Sequence, residues 1–120
     1  MRIHHLALRT PDPNALAAFY VEKLGVPLLR TQDDHLGVRS CWLGLDDAIL
    51  MIERGAPPPR DAPPEGWDGM FVAVAPGSGA AWEARLGAHV FERTAYTLYA
   101  RDPDGNRFGV SSYPAPLFGA

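Results

Sequence analysis

The segments Leu24-Gly25-Val26-Pro27-Leu28-Leu29-Arg30 and Leu86-Gly87-Ala88-His89-Val90-Phe91-Glu92-Arg93 repeat one another in kind. Each opens on Leu-Gly, where a left-handed residue stops a helix, and each runs into a short apolar strand. The residues before them match too. Residues 3–8 are strand-like, and a helix start follows: Asp12 caps, Pro13 suits the first turn, and Leu16, Phe19, Tyr20 and Leu24 share a face. In the second half, residues 70–75 form the strand and residues 80–86 the helix, with Ser78 as its cap and Gly87 as its stop. After each Leu-Gly come three strands: residues 27–31, 38–45 and 48–53, then 89–93, 96–101 and 107–111. Asp46-Asp47 joins the last two of the first set. Asp102-Pro103-Asp104-Gly105-Asn106 is a strong turn signal in the second. One β-α-β-β-β unit is therefore used twice.

The predicted class is α+β, with two tandem units of curled mixed sheets enclosing a shared cleft. The expected boundaries are residues 1–54 for the first unit, 55–68 for a linker, 69–113 for the second unit and 114–120 for a tail. The linker holds Pro57, Pro58, Pro59, Pro63 and Pro64, five of the chain's 12 prolines, and such a stretch cannot continue a strand ladder. Each sheet buries one face under its own helix and leaves the other to line the cleft.

Composition narrows the functions. The 120 residues carry a net charge of −3 with 11 scattered Lys and Arg, which argues against a nucleic-acid partner. No apolar run approaches the roughly 18 residues that span a bilayer, so no membrane role is expected. Cys41 is the one cysteine, which agrees with a cytoplasmic location.

The chain resembles the vicinal oxygen chelate superfamily, which includes glyoxalase I, bleomycin-resistance proteins and extradiol dioxygenases. The resemblance rests on His5-Leu6-Ala7-Leu8, Ala18-Phe19-Tyr20 with Leu24-Gly25, Leu43-Gly44 with Leu50-Met51-Ile52-Glu53, and Asp102-Pro103-Asp104-Gly105-Asn106. It implies, in metal-using members, four ligands from the first and last strands of the two units, commonly His and Glu in each. On this chain His5 and Glu53 match the first pair, while the second pair falls at Gly69 and Gly109. Glycine has no side-chain donor. Two ligands fall short of the three protein ligands a catalytic ion usually takes, so no tightly bound cofactor is expected. The alternative is a loosely held divalent metal on His5 and Glu53.

Strand alternation puts His5 and Ala7 on one face and Leu6 and Leu8 on the other. It likewise separates Ile49, Met51 and Glu53 from Leu50 and Ile52. Leu6, Leu8, Leu50 and Ile52 are expected under the helix, with His5 and Glu53 together on the cleft side. There the pair serves as a catalytic acid–base couple, as a polar anchor, or as a buried hydrogen bond. The expected ligand-binding residues are Trp42, Met51, Phe71, Tyr96, Tyr99 and Arg101, with Gly69 and Gly109 giving room. His4 is assigned to the opposite face, His35 to solvent, and Cys41 to an inert buried thiol. His89 has no partner at ligand spacing, Arg9 ends a strand, and Trp67 adjoins the linker.

The leading expectation is a small-molecule-binding protein of the bleomycin-resistance kind, acting as a homodimer without metal. The alternatives are a lyase, isomerase or dioxygenase of glyoxalase type using His5 and Glu53, and a domain that serves assembly through its dimer surface.

Overall fold

The computed structural model describes residues 1–56 and 70–118. The chain divides into two compact units, Met1–Arg60 and Asp61–Ala120. Most of the expected proline-rich linker, with Trp67 and Gly69, lies outside the described residues.

The first unit runs β1 (His5–Thr10), α1 (Pro13–Leu24), β2 (Leu28–Asp34), β3 (Gly37–Leu45) and β4 (Ala48–Arg54). Asp12, in extended conformation, caps α1 by accepting from the Ala15 N–H at 3.2 Å. Gly25 ends the helix at φ 68°, ψ 23°, and its N–H donates to the Val21 carbonyl. The strands form one sheet in the order β1-β4-β3-β2, with β1 and β4 parallel and the other pairs antiparallel. Helix α1 lies chiefly over β3 and β4. Leu16, Ala17, Phe19 and Tyr20 of the helix are buried, as are Cys41, Leu43, Leu50 and Ile52 of the strands beneath it. Leu43, Leu50 and Ile52 are fully buried, each contributing about 1.5–3 kcal/mol of burial.

The expected core holds at Leu50 and Ile52 but not fully at β1. Leu6 is 37% exposed, because β1 is the outer strand and the helix sits over the middle of the sheet.

The second unit runs β5 (Met70–Val74), α2 (Gly79–Leu86), β6 (Val90–Arg93), β7 (Thr97–Arg101) and β8 (Arg107–Ser111), in the sheet order β5-β8-β7-β6. The order repeats that of the first unit, with β5 and β8 as the parallel pair. A single 3-10 turn, Gly87–His89, intervenes between α2 and β6, a feature the first unit lacks. Ser78 Oγ caps α2 by accepting from the Ala81 N–H at 3.1 Å. Trp82 and Leu86 are buried with Leu98, Ala100, Phe108 and Val110, and Trp82 Nε1 donates to the Pro76 carbonyl at 2.9 Å.

The 102–106 turn is built around one carboxylate. Asp102 Oδ1 accepts from the backbone N–H groups of Asp104 and Asn106 at 3.0 and 2.9 Å, and Oδ2 accepts from Asn106 Nδ2 at 2.7 Å. Gly105 takes φ 84°, which a side chain would resist. This turn sets β7 against β8 with Arg101 opposite Arg107.

The tail returns to its own unit. The Leu117 N–H donates to the Ala95 carbonyl at 2.8 Å, and the Gly79 N–H donates to the Leu117 carbonyl at 3.1 Å. A Cβ on Gly79 would stand 2.7 Å from that carbonyl oxygen, so only glycine lets the tail approach.

Candidate functional site

Each sheet has a face that its helix does not cover, and cross-strand register says what stands there. In the first unit one row across the sheet reads Arg30, Trp42, Met51, Ala7. The next reads Gln32, Ser40, Glu53, Arg9, and on the other side stand Gly44, Ile49 and His5. Side chains of registered neighbours share a face, and the Arg30 guanidinium indeed lies over the Trp42 ring, 4.9 Å from its centroid. A bulge between Leu28 and Arg30 throws the Leu29 side chain onto Gly44, where an added Cβ would meet it at 3.5 Å. The result is an apolar floor of Leu29, Ile49, Trp42 and Met51 beside polar groups from His5, Arg30, Ser40 and Glu53.

The matching row in the second unit reads Glu92, Tyr99, Gly109, Val72. Phe91 joins it through a bulge between Val90 and Glu92. Its ring lies 6.4 Å from that of Tyr99, and the Arg101 guanidinium stands 4.8 Å over it. Thr97 and Ser111 are buried on the same face, with the Thr97 hydroxyl donating to Ser111 Oγ at 3.0 Å.

The structure brings some of the expected residues together and separates others. Trp42 and Met51 are direct neighbours, as are Tyr99 and Gly109. Arg101 adjoins Tyr99 through Phe91. His5 and Glu53 share a face but are not neighbours: His5 stands opposite Ile49, and Glu53 stands opposite Arg9. Four residues of strand separate the two positions, about 13 Å. The His5 ring instead meets His4, with the two Nδ1 atoms 3.0 Å apart and both residues exposed.

Phe71 is not on the open face. It pairs with Phe108 in register and stacks on that ring at 5.8 Å, on the side covered by α2. Strand alternation explains this, since Val72 and Gly109 take the open side. Tyr96 precedes β7 and packs edge-on against Tyr113 at 5.4 Å. Gly69 lies outside the described residues.

Register also settles which positions correspond between the units. Gly109 stands beside Tyr99 in the third strand, and its counterpart beside Trp42 is Met51, two residues before Glu53. The first-strand partners follow: His5 lies opposite the residue two before Met51, and Met70 lies opposite the residue two before Gly109. The repeated positions are thus His5 and Met51 in the first unit and Met70 and Gly109 in the second, and His5 is the one residue of these with a nitrogen or oxygen donor in its side chain. Among the described residues, no group of three His, Cys, Asp or Glu side chains is placed to hold a metal ion. Neither unit's pair therefore fits a divalent ion.

Nor does Gly109 leave a hollow. A Cβ there would stand 3.1 Å from Thr97 Cγ2, 3.2 Å from Val72 Cγ2 and 3.3 Å from Tyr99 Cδ1. Those three side chains already fill the space.

Two groups outside the open face titrate abnormally. Burial under α1 pushes the Cys41 thiol up, with Asp12 and Asp33 adding to the effect, and its Sγ–H points to Asn14 Oδ1 at 3.8 Å. The Leu36 N–H holds the Asp34 carboxyl below its usual range, against some desolvation, and Arg54 assists by pairing with it.

Sequence reading passed over Arg30 and Ser40. Both fall in strands, but only the bulge between Leu28 and Arg30 places Arg30 against Trp42 and Gln32 against Ser40. One feature of the face is out of balance: Trp42 Nε1 is buried and has no hydrogen-bond partner among the described residues.

The repeated unit and its register define a glyoxalase-type fold. A sequence model of the Glyoxalase/Bleomycin resistance protein/Dioxygenase superfamily matches residues 2–110. The chain belongs to that superfamily. No curated protein matches it in sequence. Among solved structures, a possible glyoxalase from Bacillus cereus is 23% identical with a TM-score of 0.68, covering 92% of this chain and 98% of that one. TioX from Micromonospora sp. ML1 is 18% identical with a TM-score of 0.66, covering 92% and 98%. Lactoylglutathione lyase from Agrobacterium tumefaciens is 20% identical with a TM-score of 0.62, covering 92% of each chain. Likeness at these identities establishes the fold alone.

Proposed function

We propose that this chain binds a small aromatic or apolar molecule on the open sheet faces and does so without a tightly held metal. The observation that carries the reading is the makeup of the central row of the first unit, Arg30, Trp42, Met51 and Ala7; the corresponding row of the second unit's own sheet holds Tyr99, Gly109 and Val72. An aromatic floor with a few placed polar groups suits ligand capture. The same positions supply too few hard donors for a metal-centred reaction. Family membership supports the class, since bleomycin-resistance proteins stand in the superfamily beside the enzymes. The enzyme alternative draws on His5 and Glu53 as one site, and their register partners count against it.

Two measurements test the proposal. Elemental analysis of protein purified without chelator is expected to find transition metal well below one ion per chain. A stoichiometric ion refutes the metal-free reading. A thermal-shift screen of planar aromatic compounds is expected to find ligands that stabilise the chain, by about 2.7 kcal/mol at a hundredfold excess over Kd. Trp42→Ala is expected to abolish that stabilisation.

The reading includes a homodimer in the cytoplasm. Light scattering is expected to return twice the 13.1 kDa chain mass.

A further inference from the structure

We propose that the open face of the first unit selects an anionic aromatic ligand, an aryl carboxylate in its simplest form, whose oxygens are held by the Arg30 guanidinium and the Trp42 indole N–H. The inference rests on the small-molecule-binding reading above and names the ligand's chemistry.

The first observation is the indole. Trp42 Nε1 is buried and finds no acceptor among the described residues. A buried donor left unpaired is costly, and native proteins give nearly all such groups a partner. Indole nitrogen only donates, so the missing partner must carry an acceptor atom. The surrounding row offers none: Met51 and Ala7 have apolar side chains, and Arg30 is a cation without acceptors.

The second observation is that cation. Arg30 is exposed and lies 4.9 Å from the Trp42 ring centroid. The guanidinium presents several N–H groups in a fork that matches a carboxylate. Stacking on the ring restrains it, so less freedom is lost when it binds. Within the row it is the single charged group, and the carboxylate of the adjoining row, Glu53, stands opposite Arg9. An oxyanion that reaches the indole edge therefore accepts from both groups.

The third observation is the floor. Met51 and Ala7 continue the row beyond Trp42, and Ile49 flanks it. A planar ring attached to the carboxylate covers this apolar strip. Methionine adapts to such rings through a flexible, polarisable thioether. The second unit repeats the arrangement of a guanidinium over an aromatic ring with Arg101 and Phe91.

The test uses 2-naphthoate and its uncharged counterpart 2-naphthalenemethanol, titrated into the full chain labelled with nitrogen-15. The chain's three tryptophans give three indole N–H signals, and Trp42→Phe assigns the one in question. Naphthoate is expected to move that signal downfield and saturably, with an affinity at least about tenfold above that of the alcohol. A hydrogen bond to a charged group is large enough for that ratio. Arg30→Met is expected to cost naphthoate about tenfold and to leave the alcohol unchanged. Equal affinities for the two compounds, or an Arg30→Met variant that binds naphthoate as well as the parent does, overturn the anion inference and leave the proposed function standing. No response of the Trp42 signal to either compound overturns both.

Discussion

Replacing Gly109 by alanine adds one methyl group where a metal-using relative would need a whole carboxylate side chain. The glycine is not at positive φ, so its backbone imposes no strain on alanine. In such a strand position the change ordinarily stabilises by about 0.5–1 kcal/mol through lost chain entropy. Here the new carbon would meet Thr97 Cγ2, Val72 Cγ2 and Tyr99 Cδ1 at 3.1, 3.2 and 3.3 Å. Thr97 is buried and its hydroxyl is engaged with Ser111, so it has little room to turn. Overpacking by a methyl costs about 1–3 kcal/mol. The balance is a loss of about 1 kcal/mol, which lowers the unfolding midpoint of a domain this size by about 3–6 °C.

Thermal and urea unfolding, followed by circular dichroism, measure the loss. Thr97→Ser removes the nearest contacting methyl and keeps the hydroxyl. In that background Gly109→Ala is expected to cost less, with a coupling of about 0.5–1 kcal/mol. A Gly109→Ala variant more stable than the parent, or one that Thr97→Ser fails to relieve, refutes the reasoning that this position is filled by its neighbours.

The 102–106 turn hangs on Asp102, so Asp102→Ala, which strands two backbone N–H groups and the Asn106 amide, is expected to destabilise by about 2–4 kcal/mol in urea unfolding. Asp34 is held below the ordinary carboxylate range in the fold. Its contribution is therefore present above the unfolded-state value and is lost as pH falls through the depressed folded value. Asp34→Asn should accordingly flatten the acid limb of the stability profile while changing little at pH 2. Cys41, buried and raised, is expected to react with iodoacetamide far more slowly than a free thiol at pH 8, and at the full rate in urea. Rapid alkylation of the folded chain would place that thiol at the surface.

Much of the fold is written locally in the chain. Asp12-Pro13 and Ser78 start helices, Gly25 and Gly87 end them, and Asp102 to Asn106 turns a hairpin, because each rests on contacts within a few residues. The duplicated order of elements follows from those signals together with strand alternation. Alternation also puts Met51 on the cleft face, and the register pairs it with Trp42.

What the chain alone left open is which residues stand beside which. His5 and Glu53 are both on the open face, yet a parallel pairing that matches His5 with Ile49 sets them four positions apart. No local signal encodes that offset, since it is fixed by how β1 and β4 slide to satisfy hydrogen bonds and bury Leu50 and Ile52. The Leu29 bulge, which delivers Arg30 to the Trp42 ring, is equally invisible in sequence. Phe71 shows the cost of misreading a face, as one residue of alternation moves it from the open side to the stack on Phe108. The sequence by itself determined the elements, their order and the lack of a second donor at Gly109. Only the tertiary structure decided the neighbours, because pairing between strands distant in the chain is chosen by packing and the hydrogen-bond ladder rather than by any residue's own preference.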